Sequence, residues 1–195
     1  MPAENRARVL RAASESFLRH GYHTSVDEIA RRAGVAKQTL YHHFPSKDEL
    51  FKEVACDLAK RILVGLEADP ADLREGLMRF SLAYRRRVLC PEGLAMFRTL
   101  TAEVPRFKGL AKAIYAGGAG EMVRRLSAYL RKAMSAGILR RGDPVFAAEL
   151  LLSMLAGQER VRRLYGIANG AEAEAPRVGR IVDCFLRAFG AGERS

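Results

Sequence analysis

From Val9 onward, apolar side chains return at helical spacing. Val9, Ala13 and Phe17, with Leu10 beside them, mark one face of a first helix that Gly21 ends. Val26, Ile29, Ala30 and Ala33 repeat the pattern over a short second helix, and Leu40 and Phe44 do so over a third, Lys37 to His43. From Ser46 a longer run carries Leu50, Phe51, Val54, Leu58 and Ile62 and stops near Asp69-Pro70, because proline disfavours helical backbone in the residue before it. Punctuation then falls at Pro91, Pro105, Gly117-Gly118, Gly137 and Asp143-Pro144, and each segment between keeps the helical period. No strand is predicted. Val145 to Tyr165 is apolar almost all round in its first half, and Val178, Ile181, Val182, Phe185, Leu186 and Phe189 form a wide stripe on a last helix. The expected fold is all-α: a three-helix N-terminal domain over residues 1–47 and a helical domain over 48–195, connected by a helix over 46–68.

The ends of the short helices carry chemistry as well as punctuation. Ser25 can cap the free amides of the second helix while Glu28, three residues on, completes a capping box. Gly34 has no Cβ and suits the left-handed turn that separates two steeply crossed helices, the grammar of a helix-turn-helix. In that arrangement the second helix of the pair enters the major groove and presents its N-terminal residues to base edges. Here those residues are Ala36, Lys37, Gln38 and Thr39. Lysine pairs with O6 and N7 of guanine and glutamine with N6 and N7 of adenine, so Lys37 and Gln38 are suited to reading sequence. A second capping box, Ser46 with Glu49, leaves Lys47 at a helix N-terminus, where amides and ammonium together suit a phosphate. Such contacts set register rather than sequence.

Charge changes this picture less than its size suggests. The 195 residues carry a formal net charge of +11, yet residues 1–60 hold ten Lys/Arg against eight Asp/Glu. Most of the excess lies outside the candidate reading head, where it supplies only long-range attraction that salt screens. The N-terminus mixes acid and base at helical spacing and lacks the apolar core of a secretory signal. The longest apolar stretch, Val145 to Gly157, is 13 residues and contains Glu149, too short to span a bilayer. A cytoplasmic location is expected. Cys56, Cys90 and Cys184 are far apart, without partners at metal spacing, and read as small buried hydrophobes.

The pattern Thr24-Ser25, Ile29-Ala30, Ala33-Gly34-Val35, Thr39-Leu40-Tyr41, Phe44 and Ser46-Lys47 resembles the N-terminal pattern of the TetR family of transcriptional regulators. The resemblance implies base contacts from Lys37, Gln38 and His42 and backbone contacts from Ser25, Thr39, Tyr41 and Lys47. Ala36 departs from it, since many members have a serine there, and its loss removes a cap worth about 1 kcal/mol. Further on, Met96 to Leu100 with Glu103, Pro105, Arg106 and Phe107, then Gly137, Leu139, Asp143-Pro144 and Ala147-Ala148, resemble the AefR-like subgroup of TetR C-terminal domains. That implies an effector-binding and dimerisation domain whose last two helices pair with their copies. Leu151, Leu155, Val178, Ile181, Val182, Phe185 and Phe189 are the expected interface.

The expected effector wall is Phe80, Tyr84, Met96, Phe97, Leu100, Phe107, Tyr115, Met122 and Met154, an adaptable set of aromatic and Met side chains, with ordinary core packing as the alternative for each. Arg98, in an otherwise apolar helix, is expected to be buried and to need an anion, either Glu103 or an acidic ligand. Arg85-Arg86-Arg87 reads as a solvated helix end. No phosphate loop, nucleophile elbow or metal spacing appears, and the four histidines fall between 20 and 43, so neither an enzyme nor a bound cofactor or metal is expected. The reading is a homodimeric repressor that binds a palindromic operator in double-stranded DNA and releases it when a small apolar or amphipathic molecule binds. The alternative is a DNA-binding regulator controlled by a protein partner.

Overall fold

A computed structural model of the chain describes residues 2–60, 66, 72–103, 108–167 and 172–191. Among these lie ten helices: α1 (Pro2–His20), α2 (Val26–Ala33), α3 (Lys37–His43), α4 (Lys47–Lys60), α5 (Leu73–Val88), α6 (Pro91–Glu103), α7 (Lys108–Gly117), α8 (Ala119–Ser135), α9 (Pro144–Leu164) and α10 (Glu174–Phe189). The one extended pairing among the described residues is an isolated bridge between Leu139 and Gly190.

The chain packs as two units, residues 1–59 with 91–119, and residues 60–90 with 120–195. The division therefore does not follow chain order: α6 and α7 join the N-terminal helices, whereas the sequence suggested a single boundary at 47/48. Of the end of the expected connecting helix, residues 61–65 and 67–68 lie outside the described residues.

In the first unit, Val9, Ala13 and Phe17 of α1, Ile29 and Ala30 of α2, Leu40 of α3 and Leu50, Phe51 and Val54 of α4 close one core, as their spacing required. Its centre is aromatic. The Phe51 ring meets Phe17 edge-on at 4.8 Å and Tyr22 at 5.1 Å, geometries that favour the quadrupoles of both pairs. Met96 and Ile114 complete this core from α6 and α7, and Leu100 packs against it.

The second unit buries Leu77 and Phe80 of α5, Leu126 and Leu130 of α8, Leu151 and Leu155 of α9, and Val178, Val182 and Phe185 of α10. Gly137, at φ +75°, reverses the chain after α8, and Asp143 caps α9 by accepting from the Val145 amide at 2.8 Å. The loop between them is fastened to the end of α10, since the Arg140 amide donates to the Phe189 carbonyl at 2.8 Å.

Candidate nucleic-acid interface

Two helix starts and one exposed helix face make up the site. Ser25 caps α2, its Oγ accepting from the Glu28 amide at 3.1 Å, and Ser46 does the same for the Glu49 amide at the start of α4. Each capping box is realised by half. The Glu28 carboxylate turns away to take Arg31, at 2.9 and 2.7 Å, and Glu49 pairs with Lys52. Gly34 stands at φ +65°, and its amide closes α2 onto Arg31 while the Val35 amide reaches Ala30. A side chain there is strained by the backbone and would also meet the Arg8 guanidinium, which donates to the Gly34 carbonyl at 3.0 Å.

α3 is amphipathic in the sense its sequence required. Leu40 is fully buried and Phe44 nearly so, which pins the helix to the core. Lys37, Gln38, Tyr41 and His42 stand exposed on the other side, with Thr39 half-buried between. Ala36 makes no side-chain cap, as expected. Lys47 is half-buried, its ammonium 4.4 Å from the centre of the Tyr22 ring, and the Tyr22 hydroxyl donates to Asp48. A cation over an aromatic face is held without losing its charge, so Tyr22 positions Lys47 at the start of α4. Tyr22 was not among the residues expected at the site. Lys37 holds a second surprise: its ammonium is paired with Asp27 of α2 at 2.9 Å.

The remaining expectations fare unevenly. Of the effector wall, Met96 lies in the first unit's core and Leu100 packs against that core, and Phe97 and Tyr115 lie in that unit too, Tyr115 being 59% exposed. Phe80, Tyr84, Met122 and Met154 fall in the second unit, where the Phe80 and Tyr84 rings stack at 6.0 Å. Phe107 lies outside the described residues. The expected dimer residues Leu151, Leu155, Val178, Val182 and Phe185 are each 0% exposed in the single chain, so they are core and offer a partner no surface. Ile181 and Phe189 are half-buried. Cys184 is exposed and Cys90 half-buried, so of the three cysteines Cys56 alone is buried.

The two arginine expectations exchange places. Arg98 is exposed. Arg85, from the run read as solvated, is 1% exposed and is the largest fully buried side chain described. Its guanidinium donates to Glu174 at 2.6 Å, to Glu159 at 2.6 Å and to the Leu155 carbonyl. Glu159 also takes Arg163 at 2.7 Å and Arg177 at 3.1 Å. Burial pushes the Glu159 carboxyl up, but hydrogen bonds from Arg85 and Arg163 outweigh it and hold the group below the ordinary carboxylate value. A helix end becomes buried when another helix covers it, and only the fold shows that α9 does.

A cleft of about 530 Å3 beside α1 and α2 is lined by Arg8, Arg11, Glu15, Arg31 and Arg32. Its guanidinium groups are largely committed, Arg8 to the Gly34 carbonyl, Arg31 to Glu28 and Arg32 to Glu15. Among the described residues no group of three or more His, Cys, Asp or Glu could hold a metal ion, and no helix is long and apolar enough to cross a membrane.

Comparison with known proteins agrees with this geometry. Residues 9–54 match the description of bacterial regulatory proteins of the tetR family, and residues 75–191 match that of the AefR-like transcriptional repressor C-terminal domain. The transcriptional activator FasR of Mycolicibacterium smegmatis is 56% identical over 52 residues, which are 26% of this chain and 24% of FasR. The match thus spans about a quarter of that relative. Among solved structures, a TetR-family regulator from Mesorhizobium loti MAFF303099 superposes with a TM-score of 0.80 at 27% identity, over 97% of this chain and 98% of that one. The flavonoid-responsive regulator FrrA superposes with a TM-score of 0.76 at 30% identity, over 98% of this chain and 100% of its own.

Proposed function

Because this chain belongs to the TetR family of DNA-binding transcriptional regulators, with an AefR-like C-terminal domain, we propose that it acts as a homodimeric repressor released from a palindromic operator by a small apolar or amphipathic ligand. The family consists of regulators rather than enzymes. The observation that carries the DNA-binding part is the exposed row Lys37, Gln38, Tyr41 and His42 on a helix whose other side is locked by Leu40 and Phe44. α3 lies in the major groove, Lys37, Gln38 and His42 face bases, and Ser25, Thr39, Tyr41 and Lys47 grip the backbone on either side.

The dimer is supported by what α9 leaves outside. Phe146 is 57% exposed, and Val145, Val161 and Tyr165 are exposed with it, apolar area that a second chain would cover. The proposed interface takes the outward side of α9 together with the half-buried Ile181 and Phe189 of α10. Two heads then meet half-sites about 34–36 Å apart, or a multiple of that. The effector reading is supported by the full-length likeness to a flavonoid-responsive regulator and by Phe80, Tyr84, Met122 and Met154 in one unit. A ligand held there acts by favouring the conformation in which the heads no longer fit both half-sites.

Selection of bound sequences from random duplex DNA is expected to return an inverted repeat, and sedimentation a dimer. Compounds of apolar or amphipathic character are then screened for release of that duplex, with a reporter behind the operator rising when they act. A direct or single half-site, or a monomer that binds as tightly as the wild-type assembly, would sink the dimeric reading.

A further inference from the structure

Asp27 lies in the first turn of α2, and both of its oxygens hold the Lys37 ammonium, Oδ1 at 2.9 Å and Oδ2 at 3.0 Å. The pair is open to solvent, with the side chains 67% and 50% exposed, so it adds little to the stability of the fold. Glu28, the neighbouring carboxylate, is committed to Arg31. One acid is thus aimed at the first residue of the reading helix. On a surface that meets a polyanion, such a carboxylate costs affinity unless it does something else.

What it does follows from the donor count of lysine. An ammonium has three N–H donors and one charge. Paired with Asp27, Lys37 is close to neutral as a unit, and the hydrogen bond it donates to Asp27 raises its pKa and favours the protonated form. To take a phosphate it must leave Asp27, exchanging one anion for another and stranding a carboxylate beside DNA. To take guanine it need not leave, because O6 and N7 are neutral acceptors and the donor not engaged by the two Asp27 oxygens can serve one of them or bridge both. We propose that Asp27 is a specificity-determining residue that acts through Lys37, converting it from a phosphate-binding charge into a donor that reads guanine. The inference rests on α3 being the recognition helix. Asp27 is a positioning residue in it and need not touch a base itself.

The test uses the full chain, the operator recovered by selection, and a scrambled duplex of the same length. Removing the charge with Asp27→Asn frees Lys37 for phosphates. Affinity for scrambled DNA is expected to rise about three- to fivefold at moderate salt, with its salt dependence steeper by about one unit per head. Cognate affinity changes less, so the ratio of cognate to scrambled binding falls. Asp27→Glu, which keeps the charge, is expected to retain most of the ratio. The gain on scrambled DNA is expected to shrink by more than half when Lys37 is already alanine.

Three results would overturn the proposal: an equal gain on both duplexes, no gain on scrambled DNA, or an undiminished gain in the Lys37→Ala background, which would reduce Asp27 to simple repulsion of the backbone. Selection that recovers no preferred sequence with the wild-type chain would instead remove the recognition-helix reading on which the inference stands.

Discussion

Around Phe17, Phe51 and Leu40 the first unit packs little but carbon, with Ser16 and Thr24 as the buried polar residues among those described, and it leaves Lys37 and Gln38 exposed and Lys47 half-buried. The second unit turns this inside out. Its largest fully buried side chain among those described is Arg85, clasped by two glutamates and a carbonyl from α9 and α10, while Val145, Phe146 and Val161 stand exposed on α9. In the head, charge is an instrument for an external partner and the core only has to be stiff. In the second unit, charge is internal and directional. A guanidinium with fixed donors accepts only one placement of Glu159 against α5, whereas leucine against leucine tolerates several. Under the proposed ligand control that difference has a use: a reading head needs one shape, and a sensor needs helices whose relative placement is defined.

The sharpest way to break the contrast is Arg85→Met. It leaves Glu159 buried with fewer partners, and truncating one side of a buried ion cluster costs about 3–5 kcal/mol. Denaturant unfolding followed by circular dichroism reads this, and a midpoint equal to wild type would mean the cluster is ornamental. The same cluster has a pH signature. The folded Glu159 pKa is lowered, so the stability it lends is full above the ordinary carboxylate value and is lost as pH falls through the folded one. Wild type is therefore expected to lose melting temperature on acidification that Glu159→Gln, already destabilised, no longer loses.

A comparable injury to the head comes from a cavity instead of a charge. Leu40→Ala, at a fully buried position, is expected to cost about 2–5 kcal/mol and to lower binding to cognate and scrambled DNA together. Unchanged stability would mean that α3 is not held by this side chain. Gln38→Ala sharpens the comparison from the surface. It should leave the melting temperature alone and cost about 1–3 kcal/mol of binding on the cognate operator only. Equal weakening on scrambled DNA would reassign Gln38 to the backbone. Smallest is Ala36→Ser, where the helix start is extended and uncapped, at φ −67° and ψ 148°. A serine there is expected to add up to about 1 kcal/mol to the head's stability, seen as a small rise in melting temperature.

Legibility followed the range of the interactions. The borders of α2 and α3 could be read because Ser25, Gly34 and the uncapped Ala36 act within three or four residues, where spacing in sequence equals proximity in space. The exposed row of α3 was readable for the same reason: once Leu40 and Phe44 face inward, the exposure of Lys37, Gln38, Tyr41 and His42 follows from the helical period. Asp27 escaped notice because its partner lies across the turn, ten residues on, where the crossing of two helices sets the distance.

By itself, then, the sequence determined the all-α class, the reading head and the helix that presents its side chains, since each rests on periodicity and capping. Tertiary structure alone decided which arginine is buried, for Arg85 and Arg98 both stand in helices and differ only in what covers them, Arg85 meeting Glu159 from 74 residues away and Glu174 from 89. It likewise decided that the broad stripe of Val178, Val182 and Phe185 is consumed within one chain. A stripe records that a helix must be covered. Whether its own chain or a second one covers it depends on the packing of distant segments, and local sequence carries no record of that.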